Sequence, residues 1–268
     1  MKEIYKQRIA IIGAGNIGRM LLERLRRNGM TTRMAVYDKD SQKAQNAAAQ
    51  VGADTLTETE VGTCGAQLWL LCVGPKAVLP CLKQLSPCLQ PGQIVVSFAA
   101  AVPLERLETL VAEGVHMVRV MPNMPSLVGQ GMNPVCFSEK VPPEAREIVM
   151  QLLEVLGETV EVSDEQMNWC VGLSGAAMRS LIPVIEGMIQ AGHEAGLSTK
   201  KARKIAAQMM LGTANLVAQL DETSLEDIKT LTPMETVDEG QVARIFEEAA
   251  AGAKAKIDRL QAAILSEN

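Results

Sequence analysis

Three glycines, Gly13, Gly15 and Gly18, stand directly behind the apolar run Ile9–Ile12, and an acid, Asp38, follows about twenty residues later. Residues of these types at this spacing bind a dinucleotide through the main chain. Gly13 permits a tight turn, Gly15 lets backbone amides approach a pyrophosphate, and Gly18 lets a helix lie close on a strand. Asn16 and Ile17 open the helix whose positive end would face the phosphates. The motif requires a strand before it and a helix after it. The run Ile9–Ile12 reads as a buried parallel strand. Residues 16–28 place Ile17, Met20, Leu21 and Leu25 at helical spacing up to Asn28-Gly29, a C-cap signal. Asp38 closes a second apolar run, where an acid hydrogen-bonds a ribose 2′-hydroxyl and repels a 2′-phosphate. Lys39 and Lys43 act against that preference, since either can reach a phosphate. The balance leans to NADH over NADPH.

Three further segments end apolar runs on what would be the same edge of a sheet: Val73-Gly74-Pro75 with Lys76, Ser97 to Ala101, and Val120 to Pro125. Ligands of open α/β sheets bind at the carboxyl ends of the strands. Small residues there (Gly74, Ala99, Ala100) let a flat ring lie close to the backbone. Asn123 offers an amide for a nicotinamide or its ribose, and Pro122 and Pro125 stiffen its loop. No metal is expected. The two histidines, His116 and His193, lack ligand spacing to a partner, and the six cysteines form no CxxC pair.

The elements that must carry these residues alternate up to residue 162. Strands are expected at 33–37, 67–73, 94–100, 116–121, 135–137 and 159–162, and helices at 42–50, 76–85, 104–112 and 144–156. Such alternation implies a doubly wound parallel sheet covered by helices on both faces. From residue 163 to 268 no strand is visible. Helices are expected at 164–171, 176–195, 201–220 and 241–265, with Pro183 kinking the second or displacing its start. The segment 176–195 is apolar nearly all round, so a covering layer is needed, which either the first domain or, in the favoured reading, a second copy of the chain would supply. The division is therefore 1–162 for the dinucleotide and 163–268 for an all-helical remainder.

Composition excludes several classes. Aromatic residues are 3% of the 268 and the net charge is −5, which suits neither aromatic-platform nor electrostatic binding of nucleic acid, nor an anionic membrane surface. No apolar leader with a cleavage site and no run of about eighteen apolar residues is seen, so a cytoplasmic protein with reduced thiols is expected.

Residues 119–131, RVMPNMPSLVGQG, resemble the RVMPNTPA-x-VG-x-G segment of pyrroline-5-carboxylate reductases. Residues 95–101 are similar to that family's SIAAG strand, Leu173-Ser174-Gly175 to its SG-x-PAY helix start, and residues 186–197 to its EA-x-x-DA-x-x-x-GL helix. The resemblance implies a Rossmann domain followed by a helical dimerisation domain. It also implies reduction of 1-pyrroline-5-carboxylate to proline, as in proline biosynthesis, with NADPH or NADH. Hydride would pass to the carbon of a protonated C=N bond, and a cyclic imine is basic enough to need no strong general acid. Ser174 and Thr236 are the catalytic candidates. Met124, Arg179, Glu235, Thr236 and Val237 are the substrate-binding ones.

The departures from the family are specific. Its substrate loop SPGGTT matches Thr232-Pro233-Met234-Glu235-Thr236-Val237, so both glycines are lost. In the family that loop holds the substrate carboxylate through backbone amides and completes a site shared between subunits. Glu235, pointing inward, would repel a carboxylate. The second threonine falls on Val237, and Thr236 substitutes only if the loop shifts by one. The family's VKP is Val73-Gly74-Pro75, with Lys76 one place late. Its PAY is Ala177-Met178-Arg179, and Arg179 would pair with Glu235, bind an anionic group or face solvent. Three readings remain open: the family reaction, reduction of a different imine, or a dinucleotide-binding sensor without turnover.

Overall fold

The computed structural model describes residues 3–30, 33–232 and 234–267. Eight strands form one sheet: β1 (Ile9–Ile12), β2 (Met34–Tyr37), β3 (Asp54–Thr55), β4 (Leu68–Leu71), β5 (Ile94–Ser97), β6 (His116–Val120), β7 (Gly131–Phe137) and β8 (Gly157–Glu161). Their order is β3-β2-β1-β4-β5-β6-β7-β8. All neighbours are parallel except β6 and β7. Between β1 and β4 the order reverses, which opens a crevice at their carboxyl ends.

The helices of this part are α1 (Asn16–Arg27), α2 (Ser41–Val51), α3 (Glu58–Val61), α4 (Pro75–Leu85), α5 (Leu104–Glu108), α6 (Pro143–Glu154) and α7 (Met167–Cys170). Successive side chains of each strand point to opposite faces, so each strand feeds two cores. Ile9, Ile11, Leu68, Leu70 and Val96 join Met20, Leu21 and Leu25 of α1 and Val149, Leu152 and Leu153 of α6 on one face. On the other, Ala10, Ile12, Trp69, Leu71 and Val95 join Val78, Leu79 and Leu82 of α4 and Leu107 of α5. Strands β1, β4 and β5 are buried along their whole length, which is why they read as unbroken apolar runs.

After α7 the chain makes a π-helical turn, Val171–Ala176, and then α8 (Ala177–Glu194), α9 (Thr199–Gln219), α10 (Leu225–Thr230) and α11 (Glu239–Ser266). Two compact units result: residues 1–175 with 251–268, and residues 176–250. The strands do end at Glu161, near the division expected at 162/163. The first unit nevertheless continues past it, because residues on either side of α7 bond back into the sheet and Ile257, Leu260 and Ile264 of α11 lie on its second core. In the second unit α8 and α9 cross closely: a Cβ at Gly192 would come within 2.9 Å of that of Ala202. Helix α8 runs through Pro183 and begins before it, so the proline does not set the start.

Other differences from the sequence expectations are local. Strand β7 begins at Gly131 rather than residue 135 and runs antiparallel to β6. The sheet is therefore parallel-dominant, not wholly parallel. Helix α5 stops at Glu108, short of residue 112. Strand β3, helix α3 and helix α10 were not expected.

Candidate dinucleotide and imine site

Two helix N-termini meet the crevice, and neither carries a side-chain cap. Gly15 is the N-cap of α1 and Gly74 that of α4. The first-turn amides of α1 are left for another acceptor. In α4 Pro75 has no N–H and the Ala77 amide donates to the Gly74 carbonyl at 2.9 Å, which leaves that of Lys76, and both helix dipoles favour an anion there. By contrast the N-cap of α2, Asp40, accepts from the amides of Gln42 and Lys43. The three glycines of the motif have different reasons to be glycine. Gly13 has φ +107° and lies against the Cys72 carbonyl, where a Cβ would approach to 2.7 Å. A Cβ at Gly18 would collide with the carbonyl oxygen of Gly13. At Gly15 a Cβ would meet nothing within 4 Å. That glycine leaves open space in front of the amides, the space a phosphate requires.

Asp38 closes one side. Its Oδ2 accepts from the amide of Ala14 at 2.7 Å, and its Oδ1 from the amide of Asp40 at 2.9 Å. The carboxylate thus joins the end of β2 to the glycine turn, and two of its roughly four lone-pair positions stay available for a hydroxyl. Lys43 is drawn to Asp40 at 3.5 Å, whereas Lys39 lies along the groove with Gly13, Gly15, Asp38, Val73 and Gly74. Lys76, in the first turn of α4, lines it too. Beside this groove is a recess that the sequence did not announce, bordered by Tyr37, Glu58, Gly62, Cys81, Gln84 and Cys88. Burial pushes the thiols of Cys72 and Cys81 up, with Lys39 partly opposing the shift at Cys81, so both remain protonated at neutral pH.

The remaining cofactor candidates are placed as follows. Asn16 and Ile17 form the first turn of α1, and Pro75 that of α4. Ala99 is buried in the second core and Ala100 is half-buried beside it. Ala101 has φ +62°, the one left-handed non-glycine residue among those described. The Asn123 side chain is already engaged: its Oδ1 accepts from the amide of Met132 at 3.1 Å and its Nδ2 donates to the Ser174 carbonyl at 3.5 Å. Ser174 donates its hydroxyl to the Cys170 carbonyl at 2.7 Å. The groove and these two residues belong to the first unit.

Met124 starts a 3-10 turn and lines a different cleft, shared with Asn16 and Leu127. Arg179, Glu235, Thr236 and Val237 lie in the second unit, and all four are exposed in the single chain. No ion pair joins Arg179 to Glu235 among the described residues. Pro233, in the same loop, falls outside the described residues. The described helices include none long and apolar enough to cross a membrane.

The open glycine, two uncapped helix ends and an acid at the end of β2 define a Rossmann-type dinucleotide-binding oxidoreductase. Residues 8–101 match the family model described as NADP oxidoreductase coenzyme F420-dependent, and residues 164–260 match that of pyrroline-5-carboxylate reductase dimerisation. The pyrroline-5-carboxylate reductase of Corynebacterium melassecola is 31% identical over 215 residues, covering 79% of this chain and 80% of that one. That of Pseudomonas aeruginosa is 30% identical over 78% of this chain and 77% of its own. The solved structure of the Plasmodium falciparum pyrroline carboxylate reductase, with NADP bound, superposes with a TM-score of 0.83 at 18% identity, covering 97% and 99% of the two chains. The Coxiella burnetii enzyme gives 0.82 at 22% identity, covering 95% and 98%. The chain belongs to the pyrroline-5-carboxylate reductase family, NAD(P)-dependent oxidoreductases acting on C=N bonds.

Proposed function

We propose that the chain reduces a cyclic imine of the pyrroline type at the end of the groove, with 1-pyrroline-5-carboxylate and its product proline as the reference pair. The observation that carries the reading is the open Gly15 turn between two uncapped helix ends, in a chain of this family. The amides of the Gly15 and Gly74 turns would hold the pyrophosphate, and Asp38 the ribose. Reduced nicotinamide, when bound, supplies the hydride. Val73, Gly74, Pro75, Ala99 and Ala100 would flank the ring, and Asn123 has a second amide proton to offer it. Ser174 and Thr236 would orient the imine, and placement accounts for most of the acceleration. Met124, Arg179, Glu235 and Val237, none of which lines the groove itself, are the residues the family resemblance offers for the substrate. Mixing protein and reduced cofactor with a panel of cyclic imines tests the reading. Cofactor oxidation is expected with at least one of them, and none would leave a dinucleotide-binding sensor as the function. Proline formation separates the family reaction from reduction of another imine.

NADH is the preferred cofactor in this reading. Asp38 is fixed by two backbone amides at the groove, where its charge opposes a 2′-phosphate, and Lys43 is spent on Asp40. Lys39 is the residue that would favour NADPH. The kcat/KM ratio for the two cofactors is expected to favour NADH, and about a tenfold preference for NADPH, some 1.4 kcal/mol, overturns the assignment.

The working form is a homodimer or larger homo-oligomer built on residues 163–268. Helix α8 is apolar on most sides, yet none of its residues is buried in the single chain. Ile205 of α9 is 58% exposed and Ile245 of α11 55%. Apolar faces this extensive mark an association surface. Light scattering at micromolar concentration is expected to give at least twice the monomer mass, and a monomer would refute it.

A further inference from the structure

Arg119 is the one charged side chain fully buried among the described residues, at 1% exposed. It lies on β6, shortly before Asn123. Its Nη1 donates to Asp164 Oδ1 at 2.7 Å and its Nη2 to Asn168 Oδ1 at 3.3 Å. The second oxygen of Asp164 accepts the Leu104 amide at the start of α5, at 2.7 Å. The Asn168 amide nitrogen donates to Asp258 Oδ1 at 3.0 Å and Gln261 Oε1 at 2.9 Å, both on α11. Lys254 pairs with Asp258 at 2.6 Å, and these bonds hold the Asp258 carboxyl below its usual range. All of these groups belong to the first unit.

A buried ion pair seldom adds net stability over apolar side chains of the same size, so its presence here asks for another reason. What it holds is α7. That helix leads directly into the π-turn Val171–Ala176, and turns of this kind are rare and concentrate at functional positions. Ser174 sits in the turn, and its carbonyl is held by Asn123 from the loop after β6. Strand β6 and the loop that follows it therefore grip the segment twice, at Asn168 through Arg119 and at Ser174 through Asn123. We propose that Arg119 is a positioning residue of the reaction: through Asn168 it fixes the π-turn and so the placement of Ser174 against Asn123. This rests on the assignment of those two residues to the nicotinamide end of the site.

The test compares Arg119→Lys, Asn168→Leu, Ser174→Ala and the Asn168→Leu/Ser174→Ala double variant. The lysine keeps a charge for Asp164 but lacks the fork that reaches Asn168 as well. Asn168→Leu leaves the Arg119–Asp164 pair in place, so it carries the test if Arg119→Lys does not fold. Arg119→Lys and Asn168→Leu are each expected to bind the dinucleotide within about twofold of the native protein, since the glycine turn and Asp38 lie on other strands. Both should lose kcat by about tenfold or more, the effect of a small misplacement near the reacting atoms. In the double variant the losses should not add, because Asn168 acts through Ser174. Unchanged kcat in folded Asn168→Leu, or additive losses, overturns the proposal. A silent Ser174→Ala removes Ser174 from the site, and the proposal falls with that assignment.

Discussion

Gly15→Val is expected to abolish dinucleotide binding while leaving the fold intact. The backbone there has φ −74°, outside the left-handed region that favours glycine, and a Cβ added there meets nothing within 4 Å. What the side chain fills is the space in front of the first amides of α1. Hydrogen bonds to a charged acceptor contribute about 1.5–3 kcal/mol each, so losing two weakens binding on the order of a hundredfold or more. Calorimetry with the dinucleotide and a thermal melt decide the matter together. Undiminished binding by a folded variant would show that the glycine turn is not the phosphate site. Gly13 and Gly18 are poorer probes, because a side chain at either strikes neighbouring backbone and the turn itself must move.

The second large effect is expected at the loop 232–237. Met234 and Val237 are 76% and 61% exposed, and Glu235 has no cationic partner among the described ion pairs. The nearby Lys229 is taken by Glu226 at 2.7 Å and Glu239 at 2.9 Å. A carboxylate bordering the imine would oppose a substrate carboxylate by on the order of 1–3 kcal/mol. The native protein should then bind 1-pyrroline-5-carboxylate weakly, and an imine without the carboxylate should suffer less. Met234→Gly combined with Glu235→Gly should lower KM for the carboxylate substrate about tenfold or more, by removing the charge and freeing the backbone amides. Efficient turnover by the native protein with no gain in the double variant would mean that the loop does not meet the substrate.

The parts of the fold legible in the sequence are those in which local pattern and burial agree. Strand β1, the glycine turn and α1 announce themselves because the strand is apolar throughout, Gly13 and Gly18 are required by the neighbouring backbone, and Gly15 stands at the spacing between them. Strand β3 is two exposed polar residues, and nothing in Asp54-Thr55 resembles a buried parallel strand. Helix α3 did leave a signal, Thr57-x-x-Glu60, and the two side chains form a reciprocal cap. Strand β7 was only half visible because Asn133 and Pro134 interrupt its apolar run. In the structure Asn133 is buried and bonded to Ser126 and to the Glu158 carbonyl. The glycine and acid positions of the groove were readable from spacing. The recess around Tyr37 and Gln84 was not, because its residues come from four separate segments. The Arg119 cluster was hidden for the same reason: Asp258 is far along the chain from Asn168, and no periodicity relates them.

Helix α11 also has a consequence for the order in which the protein matures. Its residues 251–266 complete the dinucleotide-binding unit, yet they are made only after residues 176–250. At about 5–20 residues per second, a ribosome needs roughly 4–15 s to cross that interval. Throughout it, the core face that receives Ile257, Leu260 and Ile264 is uncovered, and Asn168 lacks its two acceptors. The nascent sheet is thus an unfinished surface that a chaperone can recognise, and the glycine turn is ready before the unit that carries it is closed.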